Sequence, residues 1–281
     1  MLLNPLTLHL PQTSLEAAKL YKELEDSKVL AGGTFLLNSM KLLKTKGTKT
    51  ARNILSLAKV EDLKGVTFQN DILTIKAMTR INELFESPVL EGHLNILHTV
   101  CRNISTNPIR NMATVGGNLT CRYTWTEMGA VMIALDAQMH FLGGDGKEDI
   151  ISAEDFFKNV ARCEKLFTHV TIKAQDSSRA VYRRVKKTVH VDIPLLALCV
   201  KTDIKAKQWY NTRIGINNGV AFAQRDPLLE EFLNKSISSP DLGKESLEHL
   251  TTAIYDTRSS EYKQHIFRVS LRTAIEELCQ S

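Results

Sequence analysis

The chain has 281 residues, 43% of them hydrophobic and 24% charged, with a formal net charge of +5. That length and balance describe one to three globular domains with a sizeable core, and they exclude a low-complexity or collagen-like chain. The basic residues are spread out apart from Arg183-Arg184 and Lys186-Lys187, which excludes a nucleic-acid footprint, and no run is long enough to cross a bilayer.

The first segment reads as βαβα. Leu6 to Leu10 is a short apolar stretch. Thr13 and Glu16 have the spacing of a capping box, which starts a helix with Leu15, Ala18, Leu20 and Leu24 on its apolar stripe. Lys28 to Leu30 predicts a strand running into Gly32-Gly33, and Leu36 to Leu43 predicts a helix. A second segment begins near Leu57. Val66–Gln69 and Ile72–Ala77 flank Asn70-Asp71 and predict a hairpin. Thr79 is the expected cap of a short helix through Phe85. Pro88 is expected to open a longer helix that buries Leu90, Leu94, Leu97, Val100 and Cys101. Asn107-Pro108 predicts a turn before the second glycine loop. Glu127 to Leu135 reads as a buried helix, Gln138 to Phe141 as a strand and Gly143 to Gly146 as a tight turn. A short helix, Ser152 to Phe157, and a strand, Lys165 to Ile172, complete the segment. The polar stretch Lys173 to Arg179 marks the expected domain boundary. Beyond it lie three strand-like runs, 181–185, 193–200 and 207–216, and three helical stretches. The last runs from Ser259 to Cys279, with Tyr262, Ile266, Val269 and Ala274 at helical spacing.

Two glycine loops stand out, Ala31-Gly32-Gly33-Thr34 and Ala113-Thr114-Val115-Gly116-Gly117-Asn118. Each brings bare backbone N–H groups near whatever lies beside it, so the pair suits a phosphate-bearing ligand as well as two simple turns. The first sits between a strand and a helix, where the helix N-terminus adds partial positive charge. The dinucleotide fingerprint GxGxxG is absent, and so is GxxxxGK[ST]; Gly144-Asp145-Gly146-Lys147 is read as a hairpin turn. The five cysteines are scattered with no CxxC pair, which points to reduced thiols and to no iron–sulfur cluster or structural zinc in this chain. The eight histidines form no HxxxH or HxxE pattern, and Trp125 and Trp209 read as packing residues. With no catalytic acid, base, nucleophile or metal site expected, the chemistry falls to a bound cofactor.

Leu30-Ala31-Gly32-Gly33-Thr34 resembles the first flavin loop of the FAD-binding subunits of molybdenum hydroxylases. Ile109 to Leu119 resembles the second, IRN-x-x-T-[IV]-GGN-[IL], and Ala134-Leu135-Asp136-Ala137 follows at the family's distance. The family includes the medium subunits of xanthine dehydrogenase-like and carbon monoxide dehydrogenase-like enzymes, and the resemblance covers essentially the whole chain. It implies an α+β protein with a vanillyl-alcohol-oxidase-type (PCMH-like) FAD-binding fold. Two α/β subdomains, about 1–56 and 57–175, hold FAD between them. A C-terminal α+β domain, 176–281, resembles that of the carbon monoxide dehydrogenase flavoprotein and closes over the isoalloxazine.

The same resemblance implies the site residues. Leu30, Ala31, Gly32, Gly33, Thr34, Phe35 and Leu36, with Thr114, Val115, Gly116, Gly117 and Asn118, surround the pyrophosphate and ribityl groups. Ile104 lies near the flavin, and Leu166 lines the adenine or ring region. Glu127 stands where the family carries Asp, and Phe35 replaces a common Asp. Arg122, Tyr123 and Trp125 are bulkier than the family's residues there. Arg184, in Tyr182-Arg183-Arg184, takes the place of a flavin-side Lys and keeps the charge that stabilises a reduced anionic flavin. The implied function is electron transfer in a cytoplasmic complex: from a molybdopterin-binding large subunit, through a [2Fe–2S] small subunit, to this FAD and on to an acceptor such as NAD. Two other readings are a stand-alone flavin oxidoreductase of the same fold and a scaffold subunit that has lost FAD.

Overall fold

The computed structural model describes residues 3–121, 123, 126–159, 164–174, 178–188, 193–255 and 260–280. Three sheets organise them. The first is parallel, in the order β1-β3-β2, from β1 (Thr7–His9), β2 (Ser27–Leu30) and β3 (Asn53–Ser56). Two helices connect its strands, α1 (Ser14–Glu23) and α2 (Leu36–Thr45). Thr13 caps α1 as expected, its hydroxyl accepting the Glu16 N–H at 3.2 Å, while Glu16 reaches back to the Gln12 N–H at 2.7 Å. The central strand β3 is an element the sequence reading lacked. Leu15, placed on the apolar stripe of α1, is 40% exposed; Ala17 and Ala18 are the buried residues.

The second sheet has five antiparallel strands in the order β4-β5-β8-β6-β7. They are β4 (Val66–Gln69), β5 (Ile72–Lys76), β6 (Gln138–Leu142), β7 (Glu148–Ser152) and β8 (Leu166–Lys173). Asn70 and Asp71 take φ of 52° and 61°, the left-handed pair that closes a two-residue hairpin. Between β5 and β6 run α3 (Ile81–Phe85), α4 (Ile96–Asn103), α5 (Asn107–Arg110), α6 (Val115–Thr120) and α7 (Met128–Ala134); α8 (Ala153–Lys158) follows β7. Two boundaries differ from expectation. The residue preceding α3 is Arg80, whose N–H bonds Glu83. Thr79 is occupied elsewhere, its hydroxyl bonding both the N–H and the carbonyl of Gly65. Pro88 does not open α4, because Gly92, at φ 56°, interrupts the chain and leads through a 3-10 turn. The five apolar residues expected inside are buried all the same.

The third sheet, β11-β10-β9, is antiparallel: β9 (Ser178–Lys186), β10 (Pro194–Lys205) and β11 (Gln208–Asn217). The helices α9 (Pro227–Asn234), α10 (Leu242–Glu245), α11 (Thr252–Tyr255) and α12 (Glu261–Gln280) follow. On α12 the buried face is Phe267, Ser270, Leu271, Ala274, Ile275 and Leu278, whereas Tyr262 and Val269 are exposed. Every residue of α7 is buried. Its backbone lies directly on β11, where a Cβ on Gly215 would come within 1.8 Å of the Ala130 carbonyl oxygen. The third sheet therefore shares a core with the second through α7, and Tyr182, Ala197 and Cys199 join that cluster. The expected boundary at 175 lies outside the described residues, as do Cys163, Asp192 and Ser259.

Candidate flavin site

The two glycine loops, about eighty positions apart in the chain, touch each other. A Cβ on Gly32 would sit 2.0 Å from the Met112 carbonyl oxygen, so glycine is required for the loops to meet. The contact lies at the C-terminal end of β2, the place where open sheets with parallel strands collect ligands. Gly33 takes φ 71°, a conformation that favours glycine, and it turns the chain from β2 toward α2.

The loops differ in what they leave open. Among the described residues, the backbone N–H groups of Ala31, Gly32, Gly33 and Thr34 donate to no protein group. Phe35 precedes α2 without a side-chain cap hydrogen bond, so no capping side chain occupies the first amides of that ten-residue helix. In the second loop Val115, Gly116 and Asn118 donate to Thr79, Ala77 and Thr114 carbonyls, and Gly117 donates to the Thr114 hydroxyl at 3.1 Å. Thr114 is thus the cap of α6, its hydroxyl accepting from the backbone of the loop it opens.

A cleft of about 360 Å³ opens beside the contact, lined by Ala31, Gly32, Ala58, Arg80, Met112 and Thr114 among others. Lys64, Glu83 and Asn111 complete its polar wall. The residues fit a pyrophosphate. Ala31 and Gly32, two of the residues with unbonded amides, line the cleft, a methyl at Gly117 would project to within 3.8 Å of Ala31, and Arg80 and Lys64 bring guanidinium and ammonium groups, each beside a neighbouring glutamate. Asn118 Oδ1 is buried with no hydrogen-bond partner; a half-turn of that amide presents its NH2 as a donor instead.

The other expected residues divide. Leu30 and Leu36 flank the first loop, and Val115 is fully buried beneath the second. Ile104, 9% exposed, belongs to the main core, and its carbonyl accepts from Arg110 at 3.1 Å. Leu166 is 3% exposed and packs with Ala17, Leu55, Leu63 and Met78, the small core beneath the first sheet. Glu127 and Arg184 join each other, Arg184 Nε to Glu127 Oε1 at 2.7 Å, and Tyr182 donates to the second carboxylate oxygen at 2.7 Å. Burial pushes the Glu127 carboxyl above the ordinary 4.5, against the pull of Arg184, Tyr182 and Lys186. Burial first, and the facing carboxylate next, push the Tyr182 hydroxyl well above 10. Phe35 packs edge-on against Tyr123 with ring centroids 4.8 Å apart; Arg122 and Trp125 lie outside the described residues. Arg80, Lys64 and Ala58 were not among the expected residues. Arg80 reaches the second loop through a bridge to Thr114, a long-range pairing that no local sequence signal marks.

A family model described as the FAD binding domain in molybdopterin dehydrogenase matches residues 4–172. The glyceraldehyde dehydrogenase medium chain of Sulfolobus acidocaldarius is 22% identical over 271 residues, 94% of each chain. The carbon monoxide dehydrogenase medium chain of Hydrogenophaga pseudoflava is 29% identical over 150 residues, which is 53% of this chain and 50% of that one. This chain thus matches about half the length of that relative. Among solved structures, carbon monoxide dehydrogenase from Hydrogenophaga pseudoflava superposes with a TM-score of 0.89 at 22% identity, over 98% of this chain and 97% of that one. Quinoline 2-oxidoreductase from Pseudomonas putida 86 gives 0.87 at 19% identity, over 100% and 99%. These superpositions bear out the expected fold.

Proposed function

The chain belongs to the family of FAD binding domains in molybdopterin dehydrogenases and its cofactor is FAD, and from that premise we propose that it is the electron-transferring medium subunit of a molybdenum hydroxylase-type complex. Its partners in this reading are a [2Fe–2S] small subunit and a molybdopterin-binding large subunit, its place is the cytoplasm, and its acceptor is a soluble one such as NAD. The observation that carries the reading is the meeting of two distant glycine loops beside a cleft, with four amides left open.

Bound FAD supplies the redox chemistry, accepting electrons singly and releasing them singly or in pairs. The chain's own residues bind and orient it. The first loop and the uncapped start of α2 offer amide donors to the pyrophosphate, and Arg80 and Lys64 offset its charge. Thr114, Gly117 and Asn118 shape the facing wall. Ile104 and Leu166 supply apolar surface near the flavin and adenine. The Glu127–Arg184 pair joins the segment after the second loop to β9 and so links the proposed units 57–175 and 176–281. Because Glu127 sits against its guanidinium, Arg184 brings less positive charge to a reduced flavin than an unpaired Lys brings.

The test is the visible spectrum of the purified chain. The expected result is one FAD per chain, with bleaching when the iron–sulfur partner is reduced. A chain that stays colourless with added FAD, alone or beside its partners, contradicts the reading. Substrate turnover by the isolated chain would favour a stand-alone flavin oxidoreductase instead.

A further inference from the structure

A cluster of ligating side chains lies on the sheet β4-β5-β8-β6-β7, away from the glycine loops. His140 on β6 pairs directly with His169 on β8, and Glu148 on β7 pairs with Leu142, two residues beyond His140. The period of two along β6 puts Leu142 and His140 on one face of the sheet, so Glu148 stands diagonally beside the histidine pair. The imidazoles stack with centroids 4.0 Å apart and planes 18° apart. One ligating atom from each of the three residues lies within 4.8 Å of the other two.

Hydrogen bonds orient both rings. The Thr168 hydroxyl lies 3.2 Å from the His140 carbonyl oxygen, to which it can only donate, and 3.0 Å from His169 Nδ1. Its single proton goes to the carbonyl, so Nδ1 carries the proton of the second bond and His169 Nε2 keeps its lone pair. His140 Nε2 is 2.9 Å from the Thr171 hydroxyl. His140 Nδ1 is buried with no hydrogen-bond partner, 3.3 Å from Glu148 Oε2. A buried ring nitrogen that makes no hydrogen bond, facing a carboxylate at 3.3 Å and beside a second ring's lone pair, is a donor set able to take a cation.

We propose that His140, His169 and Glu148 bind a divalent transition metal, of which zinc is the best fit. Two imidazoles and one carboxylate match the ligand preference of zinc, with a fourth position left to water. Thr168 and Thr171 play the part of the outer hydrogen bonds that set the tautomers of ligating histidines. Ligand bonds of about 2.0–2.2 Å require the His169 ring to turn out of the stack toward Glu148. Both residues retain solvent access, so the ring has room and the ion has an entry path. Lys76, opposite His169 on β5, is a like charge that Glu148 offsets. The site shares no residue with the flavin cleft and does not depend on the flavin reading.

The experiment titrates the full-length, FAD-loaded chain with Zn2+, and with Co2+ followed by difference absorption. The expected result is one metal per chain and a cobalt band of nitrogen and oxygen ligation, without thiolate charge transfer. His169→Ala and Glu148→Gln should each weaken binding at least about tenfold while FAD content stays unchanged. Absence of stoichiometric binding overturns the proposal. So does equal binding by His140→Ala/His169→Ala, or a thiolate band, which would assign the metal to a cysteine instead.

Discussion

The first glycine loop leaves its amides open, whereas the second closes its own. Among the described residues the amides of Ala31 to Thr34 donate to no protein group, and α2 beyond them buries only Met40. The backbone N–H groups of Val115 to Asn118 all donate within the protein, and Gly116 packs so tightly that a Cβ would lie 2.7 Å from the Ala77 carbonyl oxygen. Two sequences that look alike therefore do different work. One presents donors. The other is a rigid floor on which the donors are set, and Gly32 is where the two touch.

The harshest way to break that division is Gly32→Ala. Its methyl would collide with the Met112 carbonyl, so the loops must separate. The expected result is loss of FAD from the purified chain and destabilisation of about 3 kcal/mol, read by visible absorbance and by denaturant titration. Gly116→Ala attacks the floor alone. It should cost about 2 kcal/mol by the same titration, with FAD retained at temperatures where the chain is folded. Arg80→Ala removes a charge from the wall of the cleft. FAD affinity should fall about tenfold and become less sensitive to salt, as fluorescence titration would show.

The smallest effect concerns Glu127, which lies beyond the second loop. Its carboxyl is raised above 4.5 in the folded chain. The folded state then holds a proton that the unfolded state has released, so this residue's contribution to stability declines as pH rises above 4.5 toward the folded value. Glu127→Gln should flatten that part of the stability–pH curve measured by urea unfolding. An unchanged slope would show that Glu127 is not its source.

Signals confined to a few adjacent residues were legible in the sequence. The Thr13 cap, the Asn70-Asp71 hairpin and both glycine loops each depend on local backbone chemistry. The strand β3 was not, because Asn53–Ser56 is four residues long and gains its identity only from β1 and β2, far away in the chain. Edge strand β7, Glu-Asp-Ile-Ile-Ser, is mostly exposed and carries no apolar alternation. Thr79 looked like a cap because its competing partner, Gly65, lies fourteen residues upstream. The site was legible to the same extent. The loops could be named, but their contact through Gly32, the open amides and the cations of the cleft required the fold. The histidine cluster was hidden for the same reason: His140 and His169 are neighbours only across a strand pair.

The most direct measurement compares FAD affinity and stability in Gly117→Ala. Unlike Gly116, this glycine has no backbone against it. An added methyl would meet only the Thr114 hydroxyl at 3.0 Å and the Ala31 methyl at 3.8 Å, in the space between the loops. If the cofactor's phosphates occupy that space, the variant should unfold within about 0.5 kcal/mol of the wild type while binding FAD at least about tenfold more weakly, a difference of about 1.4 kcal/mol. Undiminished FAD affinity in a stable Gly117→Ala chain would contradict the placement of the pyrophosphate between the loops.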